Sequence, residues 1–194
     1  MSNKEYEYSA LVYIGRFQPF HNGHYKQILD ALKISEYVIV LLGSSQEQYT
    51  EKNPLTSDMR ADIIRSNFSE ELKYRIIFRP LKDFKDTDTW VIEAKHQVNT
   101  ALETAGVAYD VFKGSRIGLI GVNKDSSSWY LREFPFWKFE GQTEPVLHNG
   151  KPISATDIRE ILYNKEDKLS EYSDVLSNVT IKKLKEFRDT SRFN

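Results

Sequence analysis

The sequence predicts an α/β fold, with a mostly parallel sheet that carries helices on both faces. Short apolar runs alternate along the chain with longer segments of helical period, and two of those runs are apolar almost throughout, as strands covered on both faces are. At 194 residues, 40% of them hydrophobic, the chain has the size and composition of one domain. We therefore predict a single domain over residues 1–194, of which residues 178–194 form a C-terminal helical extension.

The first half of the chain predicts three strands and two helices. Ser9–Ile14 and Tyr37–Leu42 are the apolar runs that predict the first two strands. The apolar residues between them follow the spacing of an amphipathic helix: Tyr25, Ile28, Leu29 and Leu32. A second helix begins at Ser57, and the run Tyr74–Phe78 predicts the third strand. This alternation of strand and helix is typical of parallel sheets.

The second half of the chain continues the same alternation. A long helix is predicted to end at Gly106, and the run Arg116–Val122 predicts the fourth strand. One face of that helix is apolar, and comprises Trp90, Ala94, Val98, Ala101, Leu102 and Ala105. Two further helices are predicted, from about Ser154 to Tyr163 and over Val179–Arg188. Because ligands of such sheets bind at the carboxyl ends of the strands, functional residues are expected in the loops that follow them.

Charge and composition exclude several classes of protein. With 27 Lys+Arg against 28 Asp+Glu, the net charge of −1 argues against a nucleic-acid partner, which would require a basic excess. The absence of cysteine excludes disulfides, thiolate metal sites and cysteine nucleophiles. No apolar run approaches the ~20 residues of a transmembrane helix, and the N-terminus lacks the apolar segment of a signal peptide. We expect a cytoplasmic protein with no membrane and no nucleic-acid partner.

The loop after the first strand, residues 15–24, reads GRFQPFHNGH and leads directly into a helix. Such a junction directs backbone N–H groups and the positive end of the helix towards a bound anion. His21 and His24 can both face that position and donate hydrogen bonds to phosphate oxygens, and Gly23 would let a phosphate come close. Alternatively, one histidine caps the helix, the other packs on the sheet, and Gly15 makes the turn. A metal-binding histidine pair is less well supported, because such helix pairs usually lie four residues apart.

A second cluster opens the late helix. Ser154 and Asp157 fit a capping box, with Ser154 as the N-cap residue. Arg159, one turn into this helix, can reach the same anion, since its guanidinium matches the geometry of phosphate. Thr156 either donates its hydroxyl to a phosphate or is an ordinary first-turn residue. With Arg16 from the first loop, these residues predict a polyphosphate site whose reaction requires positioning and charge neutralisation, and no protein nucleophile.

The two motifs HNGH and ISATDIR together resemble the nucleotidylyltransferase superfamily, which has a Rossmann-like fold and transfers a nucleoside monophosphate from a triphosphate. The longer string GRFQPFHNGH is similar to the nicotinamide mononucleotide (NMN) adenylyltransferases, in particular to the N-terminal half of bifunctional adenylyltransferase/Nudix proteins. Further similar segments are Lys52–Thr56, Lys124–Leu131 and Phe134–Trp137. The resemblance extends over nearly the whole chain, from about residue 11 to residue 193.

The resemblance implies an enzyme that condenses ATP with NMN to give NAD and pyrophosphate, with Mg²⁺ bound mainly through the ATP phosphates. The implied catalytic residues are His21, His24, Arg16 and Arg159. The implied ATP-binding residues are Gly15, Phe17, Gly23, Ser154 and Thr156. The implied NMN and NAD contacts are Trp90, Asn53, Lys124 and Asp125. No protein metal ligand is implied, and the habit of the family leads us to expect a homo-oligomer.

Other interpretations stay open at this stage. Trp90 is equally well placed as a core residue of the long helix, Asn53 can merely shape a turn, and Lys124 with Asp125 can be a polar loop. Lys85 and Asp86 stand where the family often has a Tyr-Asn pair. Residues 141–150 match no segment of that branch.

The functional alternatives are an adenylyl or cytidylyl transfer to another acceptor, and a binding module that senses NAD or ATP without turnover. No Nudix signature is present, and residues 186–190 resemble the linker that leads into such a domain. We therefore expect either a monofunctional protein or a chain truncated before that domain.

Overall fold

A computed structural model of the chain describes residues 5–107, 116–122, 126–141, 146–164 and 168–190. The strands are β1 Tyr8–Gly15, β2 Ser35–Leu42, β3 Ile76–Pro80, β4 Ile117–Ile120, β5 Lys138–Phe139, β6 Leu147–His148 and β7 Lys151–Pro152. The α-helices are α1 Asn22–Ile34, α2 Ser57–Arg65, α3 Glu70–Lys73, α4 Thr87–Thr104, α5 Ala155–Tyr163 and α6 Asn178–Asp189. Two 3-10 helices span Ser126–Arg132 and Leu169–Tyr172.

Five of these strands form one parallel sheet in the order β3-β2-β1-β4-β5. After β3 the chain crosses to the other side of β1 and adds β4, so the direction of winding reverses there. Such a reversal leaves a crevice between the loops at the carboxyl ends of the two strands, where ligands of open α/β sheets bind. The predicted α/β class and Rossmann-like parallel sheet are confirmed, and the crevice lies between the ends of β1 and β4.

The strands are buried on both faces, as their continuous apolar character predicts. Leu11, Val38 and Val40 face the layer of α1, α2, α5 and α6. Val12 and Ile39, at the alternating positions, face α4 on the other side of the sheet. The C-terminal helix α6 contributes to the first layer through Ile181, Leu184 and Phe187. Removing the apolar face of α6 would therefore open the core that supports α1 and α5.

The structure differs from the prediction in several places: β2 begins two residues earlier than predicted, β4 is shorter than the predicted Arg116–Val122, and the third strand and a short hairpin differ for identifiable reasons. The third strand begins at Ile76, two residues later than predicted, because the short helix α3 takes Tyr74 as its C-terminal cap. A hairpin of β6 and β7 begins within residues 141–150, which matched nothing by sequence, and ends at Pro152. Its two turn residues, Asn149 and Gly150, have φ values of 50° and 75°. An Asn-Gly pair favours this tight turn because both residues tolerate positive φ. Within the described residues, no helix has both the length and the apolar character that a membrane crossing requires.

Glu140 links the edge strand β5 to β1 and makes the stability of the fold depend on pH. The Tyr8 hydroxyl donates to Glu140 Oε1 at 2.6 Å, and the Lys138 ammonium pairs with the same carboxylate. Hydrogen bonds from Lys138 and Tyr8 hold the pKa of Glu140 below its ordinary value. A lowered pKa contributes stability that is present above the pKa of the unfolded chain and is lost as the pH falls through that of the folded protein.

We therefore expect Glu140→Gln to destabilise the protein at pH 7 and to have a smaller effect near pH 3. Urea unfolding at the two pH values measures the difference. Glu103→Gln, an exposed carboxylate of α4, is the control and should leave both unfolding curves close to those of the wild type. An equal loss of stability for Glu140→Gln at both pH values would contradict the linkage.

Candidate active site

The two histidines of the first motif form the N-terminal cap of α1. The backbone N–H of Gly23 donates to His21 Nδ1 at 3.2 Å, and the N–H of His21 donates to His24 Nδ1 at 3.2 Å. This is the reciprocal arrangement of a capping box, here built from two imidazoles. The rings stack with their centroids 3.6 Å apart. The capping role is thus confirmed, and it involves both histidines, where the sequence had suggested one.

The cap also determines the tautomer of each ring. Because Nδ1 of His21 and of His24 accepts a backbone N–H, a neutral ring at either position carries its proton on Nε2. An Nε2–H group is a hydrogen-bond donor of the kind that a phosphate oxygen accepts. Capping and phosphate binding therefore use different nitrogens of the same rings and are compatible.

Aromatic side chains from β1 and the β1–α1 loop, residues 16–21, hold the His24 ring in place. Phe17, Phe20 and Tyr13 lie 4.9, 5.7 and 5.9 Å from it, centroid to centroid. Phe17 has a φ of 51° and is buried as a whole residue. A Cβ on Gly15 would lie 3.0 Å from the Phe17 ring, which explains the glycine there. The ATP contacts of Gly15 and Phe17 stay predictions.

Gly23 has a packing role that the sequence did not indicate. A Cβ at this position would lie 2.5 Å from Cγ2 of Val146, in the segment that leads into the β6–β7 hairpin. The hairpin segment can therefore reach the start of α1 only because residue 23 has no side chain. This contact accounts for Gly23 without a ligand, and its predicted approach to phosphate stays a prediction.

The start of α5 lies against the β1–α1 loop, so the structure brings the two sequence motifs together. Ser154 caps α5 by accepting the Asp157 N–H, as predicted. Arg159 donates from Nη1 to the carbonyl of Gln18 at 2.9 Å and from Nη2 to Thr156 Oγ1 at 3.0 Å. The first of these hydrogen bonds joins residues that are 141 positions apart in the chain.

Two positive charges lie close together at this junction. Burial, followed by the charge of Arg16, lowers the pKa of Arg159 below its ordinary value. Arg16 itself is exposed. Repulsion between two guanidinium groups is relieved when an anion binds near both, so this pair of charges favours an anion.

A cavity of about 430 Å³ adjoins this junction, which is within the usual size range of small-molecule sites. Thr156 and Arg159 belong to its wall, and the full lining is Glu51, Lys52, Thr156, Arg159, Glu160, Tyr163 and Asn164. Arg159 therefore has the cavity on one side and the β1–α1 loop on the other.

Trp90 lies in the core, as its helical spacing allowed. It is 9% exposed and packs against Trp129, Tyr130 and Phe134, with centroid distances of 5.3, 6.2 and 6.1 Å. The hydroxyl of Tyr130 donates to the carbonyl of Ile14 at 3.4 Å, which ties this aromatic cluster to the end of β1. A contact of Trp90 with a nicotinamide ring stays a prediction.

Because Trp90 is a core residue, we expect Trp90→Ala to lower the free energy of unfolding by about 3–5 kcal/mol. Urea denaturation measures this loss. Ile92→Ala is a matched control on the same helix, since Ile92 is exposed and its truncation should change stability by no more than about 0.5 kcal/mol. Equal effects of the two substitutions would show that the burial of Trp90 contributes little.

The remaining predicted contacts on the NMN side are less well supported. Asn53 is buried, its Nδ2 donates to Glu47 Oε2 and its N–H donates to Thr50 Oγ1 at 3.0 Å. These hydrogen bonds are those of a turn-shaping residue. The Oδ1 atom of Asn53 has no hydrogen-bond partner among the described residues. Lys124 and Asp125 lie outside the described residues. NMN contacts of all three residues stay predictions.

Two residues of this region were missed by the sequence reasoning. The buried Gln18 side chain donates to the Leu55 carbonyl at 2.8 Å and accepts the Leu55 N–H at 3.0 Å. Arg60 is buried in α2 and donates to backbone carbonyls. A signal for Arg60 existed, because it lies four residues before Ile64 and therefore on the apolar face of α2. No local pattern marks Gln18.

Among the residues that the structure describes, no group of three or more His, Asp or Glu side chains is arranged to hold a metal ion.

Comparisons with known proteins show the family of this chain. The profile of the cytidylyltransferase-like family matches residues 12–161. The nicotinamide/nicotinic acid mononucleotide adenylyltransferase of Acinetobacter baylyi is 38% identical over 185 residues, which cover 95% of this chain and 89% of that protein. A bifunctional NMN adenylyltransferase/ADP ribose pyrophosphatase from Francisella tularensis is 30% identical, with a TM-score of 0.71.

The structural match covers 96% of this chain and 51% of the Francisella protein, so this chain spans about half of that protein's length. A second structure of the Francisella protein, complexed with AMP and a manganese ion, is 29% identical and has a TM-score of 0.72. The profile match and the identity to the Acinetobacter protein extend over most of the chain. The chain therefore belongs to the cytidylyltransferase-like family, in the branch of the NMN adenylyltransferases.

Proposed function

We propose that this protein transfers the adenylyl group of ATP to NMN and so forms NAD and pyrophosphate. The observation that carries the proposal is the junction of the β1–α1 loop with α5, where Arg159 donates to the Gln18 carbonyl beside the His21 and His24 cap. Two helix N-termini, two imidazoles and two guanidinium groups can together bind a triphosphate and neutralise its charge. The Acinetobacter relative acts, by its name, on the same class of acceptor.

The reaction that fits these groups is a direct displacement at phosphorus. An oxygen of the NMN 5′-phosphate attacks the α-phosphorus of ATP, the new P–O bond forms, and the bond to the bridging oxygen breaks to release pyrophosphate. Negative charge accumulates on the bridging and leaving oxygens. His21 and His24 would donate to them from Nε2, and Arg16 and Arg159 would neutralise the triphosphate. No side chain acts as a nucleophile in this scheme.

The remaining ATP contacts follow from the same placement. Thr156 shares the Arg159 guanidinium and lines the cavity, so its hydroxyl is positioned beside the group that we propose binds phosphate. Ser154 is engaged in capping α5, and its proposed contribution is to fix the first turn of that helix. The N–H groups of this first turn then point towards the anion.

A divalent cation is part of the proposal. The Francisella relative was solved with AMP and manganese, and we propose Mg²⁺ here, reaching the site on the triphosphate because oxygen-rich phosphates are ligands that it prefers. When bound, it would neutralise phosphate charge. We assign it no protein ligand. Chelation by EDTA should abolish turnover, and added Mg²⁺ should restore it.

We also propose a homo-oligomer, which analytical ultracentrifugation tests.

The decisive experiment is pyrophosphate release from ATP and Mg²⁺, with the product identified by mass. The parallel acceptors are NMN, nicotinic acid mononucleotide, FMN and phosphopantetheine. We expect NAD from NMN. Faster turnover of the nicotinic acid analogue would keep the reaction and change the acceptor, an outcome for which the name of the Acinetobacter relative gives grounds. Nucleotide binding without pyrophosphate release from any acceptor would contradict the enzyme and favour a sensing module.

A further inference from the structure

We propose that Arg60 is a positioning residue for the β1–α1 loop, whose guanidinium fork sets the place at which the loop backbone and Arg16 meet a triphosphate. The inference rests on the proposed function, since it concerns the same phosphate site. Arg60 lies in the first turn of α2, and its side chain is directed into the protein, with 1% of the residue exposed.

The Arg60 side chain joins three segments of the backbone. Nη1 donates to the carbonyls of Arg16 and Gly43, both at 2.7 Å, and so connects the β1–α1 loop to the end of β2. Nη2 donates to Ser57 Oγ at 3.1 Å, and Nε donates to the Thr56 carbonyl at 3.3 Å, which anchors the fork at the start of α2. The orientation of the Arg60 guanidinium therefore determines where the Arg16 carbonyl lies.

The charge of Arg60 is balanced by dipoles and not by an ion pair. Among the described residues, no carboxylate lies within ion-pair distance of it, and the fork meets three carbonyls and a hydroxyl. Burial, followed by the charge of Arg16, lowers the pKa of Arg60 to about 10, although the charge of Asp83 opposes this shift, so Arg60 is still charged at neutral pH. A buried cation is costly to desolvate, and an anion bound at the loop would stabilise it.

The fork and the charge have separable consequences. A lysine keeps the positive charge, but its ammonium has a different geometry and cannot hold the carbonyls of Arg16 and Gly43 from one planar group. A methionine fills similar space without charge or donors. If Arg60 acts by positioning, Arg60→Lys should impair phosphate binding almost as much as Arg60→Met.

Arg75 offers a matched control at the opposite edge of the sheet. Its guanidinium also donates to backbone carbonyls, those of Leu32, Ser35 and Glu36, at 2.6–2.8 Å. These carbonyls lie at the end of α1 and the start of β2, where strands begin. Arg75→Lys therefore removes the same kind of interaction without touching the β1–α1 loop.

The experiment compares the full chain with its Arg60→Lys, Arg60→Met and Arg75→Lys variants. Thermal unfolding without ligand reports stability. Calorimetry with inorganic tripolyphosphate gives Kd, and steady-state kinetics gives KM for ATP and kcat, at a temperature well below every unfolding midpoint. We expect both Arg60 variants to raise the tripolyphosphate Kd and the KM for ATP about tenfold or more. Arg75→Lys should lower the midpoint and change both constants by less than about twofold.

Several outcomes would overturn the proposal. Wild-type affinity in Arg60→Lys would mean that charge alone matters, and equal losses in Arg75→Lys would mean that Arg60 only stabilises the fold. If Arg60→Met does not fold, Ser57→Ala removes one acceptor of the fork and should raise the tripolyphosphate Kd about threefold, whereas an unchanged Kd would count against positioning. A wild type that binds tripolyphosphate but transfers no adenylyl group fails the proposed function and leaves this test valid. A wild type that neither binds tripolyphosphate nor transfers an adenylyl group overturns both.

Discussion

The variant His21→Asn/His24→Gln is expected to lower kcat/KM by at least about a hundredfold while leaving the protein folded. Asparagine is a good N-cap residue, and glutamine at the N3 position completes a capping box. The double variant therefore keeps the cap that both imidazoles provide, and it removes the imidazole Nε2 donors together with the ring contacts. Pyrophosphate release and thermal unfolding, measured on the same preparation, separate the two roles of the histidines.

His21→Ala is the complementary control. It removes the cap as well as the imidazole, so we expect a loss of about 0.5–2 kcal/mol in the free energy of unfolding in addition to the loss of turnover. If the cap-preserving double variant kept wild-type turnover, the histidines would serve only the helix, and the proposed charge stabilisation would be wrong. If the double variant unfolded at the assay temperature, its loss of turnover would be explained by the loss of the stacked rings from the fold.

The second large effect is expected at Arg159. Arg159→Lys should raise KM for ATP by about tenfold or more, because an ammonium cannot donate to the Gln18 carbonyl, to Thr156 and to a phosphate from one planar group. Arg159→Ala also removes the charge and should lower kcat further. Initial-rate kinetics with varied ATP and saturating NMN gives both constants.

Arg65→Lys is a suitable control for Arg159→Lys. Arg65 is an exposed arginine in the last turn of α2, with its guanidinium 4.9 Å from the centroid of the Phe78 ring, and its replacement should leave KM for ATP within about twofold. An unchanged KM in Arg159→Lys would remove α5 from the phosphate site, although the contact with Gln18 would still hold the helix against the loop. Product inhibition by pyrophosphate provides an independent measure, since it too should weaken in Arg159→Lys.

Much of the fold was predictable because its signals are local. β1 and β2 are buried on both faces, so their sequences are almost uninterrupted apolar runs. The apolar face of α4 and its stop at Gly106, where φ is 69°, follow from helical period and from the freedom of glycine at positive φ. The β6–β7 hairpin was missed although Asn149-Gly150 marks its turn, because strands of two residues are too short to show a period of two.

The sequence by itself determined the strand–loop–helix position of GRFQPFHNGH, the cap at Ser154 and therefore the chemistry expected of this chain. Each of these depends on residues within a few positions of one another, where steric and hydrogen-bonding rules act locally. Tertiary packing alone decided that Arg159 meets Gln18 and that Arg60 joins Arg16 to Gly43. Such contacts arise when crossover connections bring distant segments together at the carboxyl edge of a parallel sheet. Residue pairs so far apart in the chain produce no periodic pattern in the sequence, so they could not be predicted from it.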